Sequence, residues 1–381
     1  MSAFFNVSHS DSDSFARAGT LSFHKKDRLL SIETPVFMPV GTAATVKGIW
    51  HSHLEEIGYQ LILGNTYHLY LRPGVEIVRE LNGLGNFQSW NGALLTDSGG
   101  YQVYSLADRV RFREEGVEFA SHIDGSRHLF TPESVLNLQV DYGSDIMMVL
   151  DDCPPADADE TRLEQALART HRWARSAIRH YEDLVSTGRI NPEQQRIFGI
   201  VQGGISLTHR EASLNEIQSH NFAGIAIGGL SVGEVRELMY NTLQYLGPRL
   251  DPARPRYLMG VGAIPDILEA VRNGVDMFDC VLPTRNARNA QLITHAGPLR
   301  IRNRQYANDP GPVDPQCECQ VCKRYSRAYL RHLFQAGEML GPMLATYHNL
   351  HFYKKFMADL RAAIISDRFA QFYSFWKKIQ F

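Results

Sequence analysis

Short apolar runs separated by amphipathic stretches recur from about residue 33 to 283. They are TPVFMPVG, QLILGN, ALLTDSGG, DIMMVLDD, RIFGIVQGG, GIAIGGLS, RYLMGVG and VDMFDCVL. Each is strand-length, rich in Ile, Val, Leu or Met, and continuous rather than alternating, the pattern of strands covered on both faces. The clearest helix lies over 161–184. There Leu163, Leu167, Thr170, Trp173, Ala174, Ala177, Ile178 and Tyr181 recur at three- and four-residue steps. Thr161 and Glu164 predict a capping box at its start, and Gly188 marks its end.

Eight such strands, each followed by a crossover, predict an α/β chain folded as a closed (β/α)8 TIM barrel. The competing arrangement is a doubly wound open sheet, which announces itself by a Gly-rich phosphate loop after its first strand. None follows TPVFMPVG. Asp97, Asp151, Gln202, Gly228 with Gly229, the stretch from Gly260 to Gly262, and Asp279 all fall at the C-terminal ends of separate runs. A barrel gathers those ends around one mouth, where its active sites are built. Residues 1–283 therefore read as the barrel, 284–348 as an insertion after the eighth strand, and 349–381 as a helical segment packing on the barrel.

Composition changes this picture only slightly. With 381 residues, 44% of them hydrophobic, the chain can bury one large core or two ordinary ones. Its net charge is −2, so attraction to nucleic acid must come from a local patch. No basic-then-apolar leader opens the sequence and no apolar run reaches about 18 residues, which predicts a cytoplasmic chain with no membrane span. In that setting five cysteines favour metal binding or chemistry over disulfides.

Three of them, Cys317, Cys319 and Cys322, form C-x-C-x2-C, with histidines following at His332, His348 and His351. Three thiolates and one imidazole make a closed tetrahedral zinc site of the structural kind. Spacing leaves the fourth ligand open among the three histidines.

Asp97 and Asp279 each have a bland reading as a helix N-cap after a strand. Placed together at one mouth, they are also the pair that glycosidic chemistry needs, one to attack the anomeric carbon and one to handle the proton. Gly99 and Gly100 let a ligand approach the backbone, and Tyr101 offers a stacking face. Asp151 and Gln202 suit a planar heterocycle, since a carboxylate accepts from a ring N–H and an exocyclic amine while an amide both donates and accepts. Backbone N–H groups around Gly229 complete such a pocket. Between Thr284 and Arg331 stand nine Arg and Lys against three acids. A charge run is usually a solvated face. Beside a carboxylate suited to glycosidic cleavage and a zinc-braced insertion, it points to RNA.

These residues, in DSGGYQV, FGIVQGG, IGGLSVGE, LMGVGAIPDI, FDCVLPTRNARN and the thiol cluster with YHNL, resemble the tRNA-guanine transglycosylases over about residues 35–350. Such enzymes exchange a guanine at the anticodon wobble position for a 7-deazaguanine on the way to queuosine, and act as homodimers. The resemblance implies Asp279 as nucleophile and Asp97 as acid/base. It implies a base pocket of Asp97, Ser98, Gly99, Gly100, Tyr101, Asp151, Gln202, Gly229, Leu230 and Met259. It implies RNA-contacting loops at Gly260, Val261, Gly262, Ala263, Ile264, Pro265 and Asp266, and at Thr284, Arg285, Asn286, Ala287 and Arg288. The implied metal is one structural zinc on Cys317, Cys319, Cys322 and His348. Val232 and the lack of room for further RNA-binding domains resemble bacterial members, which take 7-aminomethyl-7-deazaguanine. Asp152 and Tyr104 depart from the common bacterial pattern.

Two other readings compete. His51 and His53 form the His-x-His of metal-dependent barrel hydrolases, but they fall in a helix-like segment beyond the first strand. A zinc-braced RNA-binding protein without catalysis would lack one of the two aspartates, and both are present.

Overall fold

The computed structural model describes residues 4–25, 28–106 and 108–381. Eight parallel strands close into the barrel: β1 (Val36–Gly41), β2 (Leu61–Gly64), β3 (Ala93–Thr96), β4 (Ile146–Met148), β5 (Arg196–Val201), β6 (Gly224–Ile227), β7 (Arg256–Leu258) and β8 (Met277–Cys280). Closure comes from β8 on β1, with Met277 opposite Val36 and Cys280 opposite Pro39. Every residue of β1, β2, β3, β4, β6 and β7 is buried, as continuous apolarity requires of strands packed against helices outside and side chains inside. All eight runs picked out by apolarity are barrel strands.

The amphipathic stretch after β4 is one helix, Glu160–Ser186, burying Leu163, Leu167, Thr170, Trp173, Ala174, Ala177 and Ile178. Its cap is not the Thr161–Glu164 box. Asp159 has extended dihedrals and its carboxylate accepts the Arg162 N–H at 2.8 Å, so Thr161 already lies inside the first turn.

Two antiparallel sheets decorate the barrel. Phe5–Ser10, Arg17–Lys25 and Arg28–Thr34 form one before β1. Asp108–Phe112, Val117–Ala120 and Arg127–Phe130 form another between β3 and β4. Asp152 anchors this second sheet. Fully buried, it accepts from Arg162 at 2.6 and 2.9 Å and from Arg169, and both guanidiniums lie about 5 Å over the Phe112 ring.

After β8 come the helix Leu282–Arg288, the hairpin Gln291–Thr294 with Gly297–Arg300, and helices Gln320–Arg324 and Arg327–Ala336. The segment 284–288 is therefore helical rather than a loop. One helix, Leu340–Ile365, runs straight across position 348. Its first half faces the thiol cluster, while Phe352, Tyr353, Phe356, Leu360 and Ile364 join the barrel core. Among the described residues no helix is long and apolar enough to cross a membrane.

Candidate active site and metal centre

The barrel brings Asp97, Asp151, Gln202, Gly229 and Asp279 to one end, each at or just past the end of a different strand. Asp97 directly follows β3 and is buried. Thr66 N–H donates to its Oδ1 at 2.8 Å, the Asn65 amide donates to Oδ2, and the Gln102 side chain also donates to it. Burial outweighs those donors and, with the nearby charge of Asp279, raises the Asp97 carboxyl to about 6.

Asp279 lies within β8. Its Oδ1 accepts from the Tyr257 hydroxyl at 2.6 Å and from the Gly260 N–H at 2.7 Å. Its Oδ2 accepts no hydrogen bond among the described residues. Burial raises its pKa, and the two donors pull against that. Among the described residues, one oxygen is thus clamped by two donors and the other by none.

Asp151 accepts the Gln202 Nε2–H at 2.7 Å on Oδ2, and Ser98 lies beside Oδ1 at 3.4 Å. Burial, reinforced by the charge of Asp152, raises it to about 6 against the Gln202 donor. Gln202 Oε1 is buried and has no hydrogen-bond partner among the described residues. Gly100 must be glycine, since a Cβ there would press on the Asp151 carbonyl at 2.7 Å. Gly229 sits at φ +64°, and a Cβ on it would collide with Gln202 Oε1. Ser98 and Leu230 are buried beside these groups, and Met259 is half-buried. Tyr101, on the helix Gly100–Leu106, is 49% exposed at the rim.

The two segments expected to touch RNA present few side chains to solvent. Val261, Ile264, Asp266, Thr284 and Ala287 are buried, and Gly262 is enclosed. Gly260 and Arg285 are exposed, and Ala263, Pro265, Asn286 and Arg288 partly so. Arg288 Nη1 is buried and has no hydrogen-bond partner among the described residues.

Sequence reasoning missed Asn65, Thr66, Gln102, Tyr257 and the fully buried Arg210. Asn65 had a signal, because it ends QLILGN at a strand terminus like the others. Tyr257 had none, since a strand tyrosine normally reads as core.

Structure also chooses among the histidines. His348 Nδ1 lies 3.8, 3.5 and 3.3 Å from the sulfurs of Cys317, Cys319 and Cys322, and the four donor atoms all fall within 4.8 Å of one another. His348 Nε2 donates to the Ile293 carbonyl at 2.8 Å, which fixes the tautomer that leaves Nδ1 for a metal. His351 stands outside, 3.9 Å from Cys317 alone. Three thiols and an oriented imidazole, with no carboxylate among them, suit a closed soft-donor site. His51 and His53 lie in the helix His51–Ile57 and belong to neither grouping of metal-ligating side chains among the described residues.

The helix Leu340–Ile365 ties the thiol cluster to both segments expected to touch RNA. Next to His348, the Asn349 amide donates to Pro283 O at 2.9 Å and to Gln291 O at 3.1 Å, and accepts from Ile293 N–H at 3.0 Å. One turn on, the Tyr353 hydroxyl donates to Gly262 O at 2.5 Å. These bonds link the helix that carries His348 to the segments that carry Arg285, Arg288 and Gly260.

Fold and site together define a TIM-barrel enzyme with buried paired carboxylates at its mouth and a Cys3His centre beside it. The chain matches the queuine tRNA-ribosyltransferase family over residues 11–380. It is 51% identical over 379 residues to the queuine tRNA-ribosyltransferase of Leptospira biflexa serovar Patoc, covering all of this chain and 99% of that one. It is 48% identical over 372 residues to that of Halothermothrix orenii, covering 98% and 96%. It is 49% identical over 360 residues to that of Novosphingobium aromaticivorans, covering 94% of each. The chain belongs to the queuine tRNA-ribosyltransferase family, and is a pentosyltransferase of the tRNA-guanine transglycosylase kind.

Proposed function

We propose that this enzyme exchanges guanine at the anticodon wobble position for 7-aminomethyl-7-deazaguanine by double displacement. The observation that carries the reading is Asp279, with one oxygen held by Tyr257 and Gly260 and the other free, beside a carboxyl raised to about 6 at Asp97. Asp279 Oδ2 attacks ribose C1′ as the bond from C1′ to guanine N9 breaks, and Asp97 gives its proton to the departing base. Asp97 then takes a proton from the incoming base, whose nitrogen attacks C1′ and releases Asp279. Two inversions give net retention, and the second base binds only after the first leaves, which makes the kinetics ping-pong. The target nucleotide must swing out of the loop stack to reach the mouth.

Asp151 and Gln202 are positioned to read the base edge, with Ser98, Gly229, Leu230 and Met259 around it and Tyr101 stacking from the rim. Arg285, Arg288 and the backbone at 260–263 would take the RNA strand. Cys317, Cys319, Cys322 and His348 would hold zinc, whose role is to brace those segments. The reading includes a homodimer and a cytoplasmic setting, where thiols stay reduced. Its test is a denaturing gel of enzyme, tRNA and a slow base analogue. A covalent adduct should appear and be lost in Asp279→Asn. An adduct that persists in that variant gives the nucleophile's role to another residue.

A further inference from the structure

Arg210 lies in the helix Leu207–Gln218 with no exposed surface, and among the described residues no carboxylate is paired with it. Its guanidinium instead donates to three backbone carbonyls: Nε to Gly204 at 2.7 Å, Nη1 to Val201 at 2.8 Å and Nη2 to Gly229 at 3.2 Å. Val201 and Gly204 flank Gln202, and Gly229 follows the next strand. The rigid fork of an arginine therefore spans the two strand ends that supply the Gln202 amide and the Gly229 backbone. Burying a cation among neutral carbonyls is costly, so the arrangement needs a reason beyond packing.

The Gly229–Leu230 peptide is trans, so holding its carbonyl on Arg210 turns the Leu230 N–H to the opposite side. Gly229 has positive φ, and a glycine there could otherwise sample either peptide orientation. Across the same loop, Glu234 accepts the N–H groups of Ser231 and Val232. Arg210 holds the carbonyl side and Glu234 the amide side.

We infer that Arg210 is a positioning residue for the incoming base: it fixes the Gly229–Leu230 peptide and the Gln202 backbone so that their polar groups face the base. The inference rests on the base pocket proposed above. It predicts a defect in base binding rather than in RNA binding or bond breaking.

The test uses Arg210→Lys, which keeps a cation but cannot bridge three carbonyls, and Arg210→Met, which bridges none. Each is measured for cooperative unfolding, tRNA affinity, and KM and kcat for guanine, with Asp151→Asn in parallel. Expected for Arg210→Lys is native-like unfolding, tRNA affinity within about twofold, and a KM for guanine raised roughly ten- to a hundredfold, the range for losing one oriented buried hydrogen bond, with kcat changed less. Arg210→Met should raise KM further. A purely structural role would lower active enzyme and hence kcat, leaving KM alone. Wild-type KM in folded Arg210→Lys overturns the inference, as does failure of both variants to fold, which makes Arg210 a fold-holding residue. If Asp151→Asn also leaves KM unchanged, the base pocket itself is wrongly placed. If Asp151→Asn raises KM and Arg210→Lys does not, only the role of Arg210 fails.

Discussion

Replacing Asp97 by Asn should stabilise the protein while disabling it, and the gain should depend on pH in a defined way. The Asp97 carboxyl is lifted from 3.8 to about 6, with burial as the chief cause. A folded pKa above the unfolded one means that the native state loses stability as pH rises through the window between them. Below about pH 4 the acid is neutral in both states and contributes nothing. Above about pH 6 the full penalty applies, roughly 3 kcal/mol from a shift of about two units at 1.36 kcal/mol each. Near pH 5 about half of it has developed. Asparagine is the isostere of the neutral acid and does not titrate. Its oxygen can still accept the Thr66 N–H, and Asn65 can turn its amide to meet the new NH2 group. The variant should therefore exceed the wild type by up to about 3 kcal/mol at pH 8 and about 1.5 kcal/mol at pH 5. In a chain of this length that corresponds to a Tm roughly 4 °C higher at pH 8. Urea unfolding of the zinc-loaded proteins at the two pH values measures it. The variant should still bind tRNA and turn over poorly, because the proton relay is gone. A variant no more stable than the wild type at pH 8, or equally advantaged at pH 4 and pH 8, would refute the claim that Asp97 is a strained, buried acid.

Tyr257→Phe removes a donor that lowers the Asp279 pKa, so the acidic limb of kcat/KM should move to higher pH; a limb that stays in place denies that Tyr257 supports the ionised nucleophile. Cys319→Ser should lose bound zinc and weaken tRNA binding while the barrel stays folded, since His348, Asn349 and Tyr353 no longer brace the RNA-facing segments; metal analysis and filter binding read this, and unchanged values in both would sink the assignment. Arg285→Ala should lower tRNA affinity uniformly and reduce the slope of log K against log salt by about 0.7–0.9; an unchanged slope removes Arg285 from the phosphate contacts.

Local pattern sufficed for what depends on chain-neighbour physics. Strands buried on both faces must be continuously apolar, so the eight runs stood out and their order implied closure. Chemistry placed at strand ends identified the mouth before any side chain was positioned. The C-x-C-x2-C spacing brought three thiols within reach of one metal ion. Other features depend on which distant segments meet, and no local pattern encodes that. The choice of His348 over His332 and His351 was made by the Ile293 carbonyl, 55 positions away, which orients one imidazole. The helical state of 282–288 was settled by Asn349 and the long C-terminal helix, overriding a stretch rich in asparagine that reads as loop. Asp152 stood in sequence only as a departure from the common bacterial pattern; its place between Arg162, Arg169 and Phe112 came with the fold. Nothing in the local sequence around Arg210 marked it until folding buried it against three carbonyls. Burial also raises the pKa values of Asp97 and Asp279, because the cost of removing a carboxylate from water exists only once the barrel closes around it.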